Sequence, residues 1–350
     1  MARRMRKVDA HSHILTPAML GAAGSYGPEV VDHGNDLQSF RAGKYETAPF
    51  KGTSEAGKQG SRDPKARVEK LDQLGIDVMG VTCPPIFYCY GATSEEGANF
   101  CKVTNDEMEG YCDGEPGRFF FFPTLPLQDI AASTRELKRL QSFKWARGLN
   151  LATDNIAGRE LFDETLFPIY EFCEANDEPL FLHAAPIGTD DPSWNPELNS
   201  KDIFNLGWIA GYIYRESLAY GNLILGGVLD RFPNLKICLP HGGGFVPYQI
   251  GRFAEAAERM PASKAKKPIR EYSKNFYMEN SVHDKDCRDF LVKMWGIDNI
   301  YVGSNFDGWD QNDAFAFAET MARNEADLHQ LWAGNSIKLF HLGDEFGVKE

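Results

Sequence analysis

The chain has 350 residues, of which 43% are hydrophobic; 37 Lys and Arg stand against 50 Asp and Glu, a formal net charge of −13. That balance, with a pI near 5.2, argues against nucleic acid and anionic membrane surfaces as partners. No stretch approaches the roughly 20 consecutive apolar residues of a membrane helix, and the length suits two average domains or one large α/β barrel.

The seven cysteines are dispersed and never in a CxxC spacing, so reduced thiols and a cytoplasmic location are expected rather than disulfides or a zinc-cysteine site. The N-terminal Arg and Lys cluster has no apolar signal core behind it.

In chain order, the first apolar run, about 6–11, ends in His11-Ser12-His13. Side chains two apart on a strand point the same way, so both imidazoles can grip one ion while Ser12 faces away. A chance pair on a surface turn is the bland alternative. His33 to Arg62 has little periodicity and is too long for an idle loop, so it is expected to be a lid or binding loop. Asp63-Pro64 opens a helix with Val68, Leu71 and Leu74 at helical spacing before Gly75.

A second strand follows at 77–83, and the aromatic cluster Phe87-Tyr88-Cys89-Tyr90 behind it could wall a planar substrate or simply be core. Further strands are expected at 118–124, 147–152, 179–184, 235–241, 275–281 and 299–305. Helical patterns at 129–142, 161–175, 204–231, 246–259, 283–294 and 310–324 separate most of them. Eight alternations give a (β/α)8 TIM barrel as one domain spanning 1–350, with loop insertions after the first and fifth strands. A doubly wound sheet has the same alternation. In a barrel, however, all strand ends converge on one mouth, where His11, His13, His183, His241 and the Asn305/Asp307 segment could meet.

His183 ends the run Pro179-Leu180-Phe181-Leu182; in isolation it would pass for a hydrogen-bonded core histidine, but it could supply the third ligand of a catalytic metal site. His241 ends another run and opens three glycines, which let the backbone approach a ligand; an acid/base role is preferred over a fourth ligand. Such histidines suit zinc, with manganese or magnesium as alternatives. Trp194 and Trp208, in the second insertion and just beyond it, could join the substrate wall.

Asp9-Ala10-His11-Ser12-His13-Ile14-Leu15, His183, the run from His241-Gly242-Gly243-Gly244 through Pro247 to Gly251-Arg252, and Gly303-Ser304-Asn305-Phe306 together resemble the amidohydrolase superfamily. The branch resembled is that of 2-amino-3-carboxymuconate-6-semialdehyde decarboxylase. Asp63-Pro64 and Gly226-Gly227-Val228-Leu229-Asp230-Arg231-Phe232-Pro233 extend the likeness over nearly the whole chain. The resemblance implies a metal-bearing barrel with His11, His13 and His183 as ligands, His241 as catalytic histidine, no organic cofactor, and a homodimer.

It also implies an aspartate at the end of the eighth strand, where this chain has Asn305. Three explanations stand: an introduced replacement of a natural Asp, a native asparagine binding through its carbonyl oxygen, or Asp307 acting in its place. In the first case, Asn305→Asp restores turnover by several powers of ten. The arginine that the family uses to hold a substrate carboxylate has no clean counterpart. Lys58 lies nearest by offset, with Arg41, Arg62 and Arg67 as alternatives, and Arg215 is a further candidate because a guanidinium pairs with a carboxylate bidentately.

The function implied is a metal-dependent non-oxidative decarboxylase of an aromatic or muconate-type carboxylic acid. A metal-dependent hydrolase or hydratase is the alternative, and a barrel that binds a small molecule without turnover is a third reading suggested by Asn305.

Overall fold

Eight apolar runs become eight short parallel strands because each is buried on both faces, the condition under which strands read as continuous rather than alternating hydrophobic segments. In the computed structural model, which describes residues 5–51, 55–185, 204, 206–306, 308 and 310–347, with the side chains of 55–57 excepted, they are β1 (Val8–Asp9), β6 (Val78–Val81), β7 (Phe119–Phe121), β8 (Leu149–Ala152), β9 (Leu180–His183), β10 (Ile237–Leu239), β11 (Phe276–Glu279) and β12 (Ile300–Tyr301). Each lies inside a run read from the sequence.

The strands pair in chain order, with Val8 opposite Val78, Met79 opposite Phe119, Leu149 opposite Leu180, Ile237 opposite both Leu180 and Phe276, and Met278 opposite Ile300. Backbone bonds at the two remaining seams complete the ring. Ala10 N donates to Val302 O at 2.8 Å, and Arg147 N donates to Phe121 O at 2.9 Å. All strand C-termini therefore open at one mouth. The buried apolar residues form a contacting cluster that runs from Val8 to Phe346.

Helices return the chain between strands. Pro64–Leu74 is capped by Asp63, whose side chain accepts from Lys65 N, and ends on Gly75 in the left-handed conformation at φ 69°, as the Asp-Pro and Gly signals predict. Ser94–Gly114 was not anticipated between the second and third strands. Its signal is the Thr93/Glu96 capping box before an amphipathic run.

The stretch from His33 to Arg62 departs from the expected irregular loop. It belongs to an antiparallel meander of β2 (Glu29–Gly34), β3 (Leu37–Ala42), β4 (Tyr45–Glu46) and β5 (Phe50–Lys51), followed by the helix Glu55–Arg62. Asn35 and Asp36, at φ 53° and 61°, make the two-residue turn between β2 and β3. Both left-handed positions are tolerated because short polar side chains bond locally there. Of the second insertion, 184–203, residues 186–203 lie outside the described residues.

Candidate metal centre and active site

Asp9, at the tip of β1, is fully buried. Its Oδ1 accepts from His11 N at 3.2 Å and Ser304 N at 3.0 Å, and its Oδ2 accepts from Ser304 Oγ. Burial pushes its carboxyl up to about 6 despite those donors. The carboxylate thus ties the first strand to the segment after the last. Ser12 turns away as the alternation requires, with its hydroxyl donating to Gly80 O at 2.8 Å.

His11 and His13 bring their Nε2 atoms to 3.2 Å. His183, at the end of β9, has its ring centre 5.2 Å from that of His11 and 5.4 Å from that of His13. One ligand nitrogen from each lies within 4.8 Å of the others, so the three could hold one divalent metal ion.

The chemistry of the set fits that ion. Nδ1 of His11 faces Glu279 Oε1 at 2.6 Å and Nδ1 of His183 faces Ala184 O at 2.9 Å, so both hydrogens are committed there and the Nε2 lone pairs are left to converge. Burial and the neighbouring histidines hold His13 and His183 well below the ordinary imidazole range, which keeps them neutral. A separation of 3.2 Å suits two nitrogens each about 2.0–2.1 Å from one zinc ion.

His241 sits at φ 49°, and the three glycines behind it are left-handed as well. Gly244 shows why: a Cβ there would lie 2.1 Å from Ile213 O, so only glycine lets this loop press on the helix Gly211–Leu225. That helix carries Glu216, fully buried, whose Oε1 meets His241 Nδ1 at 2.7 Å. Burial opposes a charged imidazole, yet the Glu216 carboxylate pushes His241 up to about 10. The ring centre of His241 is 5.3 Å from that of His183 and 5.7 Å from that of His11.

Glu279, at the tip of β11, joins the two halves. One oxygen bonds His11 Nδ1 and the other accepts from His241 N at 2.7 Å. Burial alone would raise its pKa, but His11 and His241 hold the carboxyl below its ordinary range. A Cβ on Gly303 would fall 2.0 Å from Glu279 Oε1, which accounts for the glycine before Ser304.

Asn305 also adopts a left-handed backbone, φ 50°. Its Nδ2 donates to the Asp310 carboxylate, while its buried Oδ1 has no hydrogen-bond partner. Asp307 lies outside the described residues.

A cavity of about 890 Å³ opens above the histidines, its described wall including His13, His183, His241, Asn305, Lys58, Arg62 and Trp208. Of the residues expected to bind substrate, Lys58 and Trp208 are therefore in the wall. Arg215 is not. It is buried, with Nη1 2.6 Å from the Asp154 carboxylate, a partner that no spacing in the sequence betrays. Phe87 and Tyr90 are core residues: Phe87 packs its ring edge on Phe40, and Tyr90 stacks on Tyr88. Trp194 lies outside the described residues. Arg41 pairs with Glu29 and Glu46, and Arg67 is buried with Nη2 donating to His13 O at 3.2 Å.

Sequence reasoning missed Glu216 and Glu279. A carboxylate beside Arg215 within a mainly apolar helix and a charge closing the run Phe276-Tyr277-Met278-Glu279 were the available signals.

Three imidazoles converging beside a fourth histidine at the mouth of a parallel eight-stranded barrel fit a metal-dependent enzyme. The chain belongs to the amidohydrolase family, whose profile matches residues 8–342, in the branch of 2-amino-3-carboxymuconate-6-semialdehyde decarboxylase. It is 30% identical over 312 residues to the Dictyostelium discoideum protein of that name, covering 87% of this chain and 82% of that protein. It is 26% identical over 292 residues to gamma-resorcylate decarboxylase of Polaromonas sp. strain JS666, covering 79% and 86%.

Among solved structures, the fold is shared with Metarhizium anisopliae IDCase at a TM-score of 0.80 and 19% identity, covering 96% of this chain and 97% of that one. It is shared too with the Polaromonas sp. JS666 dihydroxybenzoic acid decarboxylase, crystallised with manganese and 2-nitroresorcinol, at 0.76 and 22% over 97% and 98%. Among the described residues, no helix is long and apolar enough to cross a membrane.

Proposed function

We propose that this protein, one barrel domain, is a metal-dependent non-oxidative decarboxylase of an aromatic or muconate-semialdehyde-type carboxylic acid. The observation that carries the reading is His241, held by Glu216 as a proton donor beside three converging imidazoles, in a cavity walled by Lys58 and Arg62.

His11, His13 and His183 would hold the ion, and the unpartnered Oδ1 of Asn305 is the candidate fourth donor. When bound, the ion supplies Lewis acidity toward the substrate's carboxylate and adjacent oxygen. Zinc is our first assignment from the three-imidazole set; manganese is the alternative, since the Polaromonas enzyme holds it. Lys58 and Arg62 attract the anionic substrate and orient it. The carbon-carbon bond to the carboxylate breaks, carbon dioxide leaves, and the electron pair remaining on the ring carbon takes the proton from His241 Nε2. Glu216 stabilises the imidazolium before transfer and fixes which nitrogen carries the proton.

The seven free cysteines, six of them buried, support a reducing, cytoplasmic setting, and the homodimer that the resemblance implies is checked by analytical ultracentrifugation. The test of function is metal analysis of the purified protein followed by incubation with hydroxybenzoic and muconate acids in deuterated water. Carbon dioxide release with one deuterium at the vacated carbon supports the reading. An enzyme loaded with metal that releases none from any of these acids refutes it.

A further inference from the structure

The cavity is larger than the reaction needs. At roughly 30 Å³ per water-sized group, 890 Å³ accommodates about thirty heavy atoms, whereas a one-ring hydroxy acid has about eleven. The excess lies on the side walled by the meander. There Val30 on β2, Leu37 on β3 and Phe40, Phe50 and Trp208 beyond them line the same cavity as the histidines.

Their rings are in contact in series, with Phe40 tilted against Phe50 at 5.0 Å and Phe50 edge-to-face with Trp208 at 5.2 Å. Val30 and Leu37 remain 37% and 40% exposed. Large apolar side chains left open inside a cavity, rather than singly on an outer surface, mark a place where an apolar ligand group is covered. Strand alternation turns Val30 to the cavity together with Asp32, and Val31 to the opposite face. The register places Val30 opposite Phe40 and Gln38 opposite Phe50, so Val30, Phe40 and Phe50 share one face of the meander, and Leu37 meets the same cavity from the hairpin end.

We infer that the natural substrate is an elongated acid: a carboxylated ring or diene at the metal end, extended by a second ring or an apolar chain that lies against Val30, Leu37, Phe40, Phe50 and Trp208. This rests on the reading of the cavity as a carboxylic-acid site and deepens it by naming the size class. The meander is then the specificity element.

The test is by equilibrium binding, which does not depend on turnover. Dissociation constants are measured by calorimetry on the metal-loaded protein for 2-hydroxybenzoate and 2,6-dihydroxybenzoate, and for the same acids carrying a phenyl or butyl group opposite the carboxylate. Burying such a group against this wall should tighten binding about 10- to 100-fold. Leu37→Ser and Val30→Ser, at half-exposed positions where folding does not depend on the side chain, should each cut the ratio between elongated and one-ring acids by about 3- to 10-fold. Equal or weaker binding of the elongated acids overturns the inference, whether or not the short acids are decarboxylated. Tighter binding of elongated acids with no carbon dioxide from any of them upholds the size class and refutes the decarboxylase reading instead.

Discussion

Replacing Glu279 by glutamine changes one charge and almost no volume, and it strikes the two halves of the site together. The native carboxylate accepts from two donors, His11 Nδ1 at 2.6 Å and His241 N at 2.7 Å, with both side chains of the first pair fully buried. An amide offers one acceptor and one donor in those two places. If its oxygen stays on His241 N, its NH₂ meets His11 Nδ1, and the imidazole avoids a clash only by moving its hydrogen to Nε2. That is the nitrogen 3.2 Å from His13 Nε2, the one the ion needs. The opposite amide orientation leaves His241 N unpaired, at about 1–3 kcal/mol for a buried donor. The first orientation therefore prevails, and metal affinity should fall about 10- to 100-fold, which is about 1.4–2.8 kcal/mol. A chelator competition titration of the ion-free protein measures it, with circular dichroism confirming that the variant is folded. A folded Glu279→Gln protein whose affinity stays within about threefold of the parent refutes the role given to this carboxylate.

Glu216→Gln removes the charge that pushes His241 up to about 10. Because the donor form of His241 is protonated, the parent should hold its activity through neutral pH and lose it near pH 10, whereas the variant's alkaline limb should move down by more than one pH unit and kcat at pH 8 should fall about 100-fold or more. A variant with the parent's pH profile would contradict the assignment. Asn305→Asp would set a second carboxylate against Asp310, where the amide now donates; we expect that repulsion to lower turnover about tenfold, and a gain of several powers of ten would identify aspartate as the competent residue instead. Lys58→Ala and Arg62→Ala should each raise KM about tenfold and change kcat less than threefold, the mark of an interaction made equally in ground and transition states; a loss confined to kcat would place them in the chemistry.

The barrel was legible because strands buried on both faces read as largely apolar runs, and three of those runs ended in histidines that did not fit them. His11, His13, His183 and His241 are polar tips on Val8–Asp9, Leu180–His183 and Ile237–Leu239, and the strand count alone brought them to one mouth. What stayed hidden depended on long-range pairing. Nothing local distinguishes Arg215, committed to Asp154 61 residues away, from a guanidinium free for substrate. Phe87 and Tyr90 follow β6 as closely as a wall residue would, and only packing on Phe40 and Tyr88 removes them to the core. The meander escaped notice because its two main strands are largely exposed or half-buried, so no apolar run marks them, while the Asn35-Asp36 turn was its clearest mark.

The bond network of Asp9 has a consequence for the life of the chain. The first candidate ligands leave the ribosome at residues 11 and 13, but the groups that fix their setting, Glu279 and Ser304, are made nearly last. A half-synthesised barrel therefore carries two histidines with no carboxylate to set their tautomer and no latch on Asp9. Loading with metal becomes an event of the finished polypeptide, so the cell's choice of ion is exercised on a completed pocket rather than on a nascent strand.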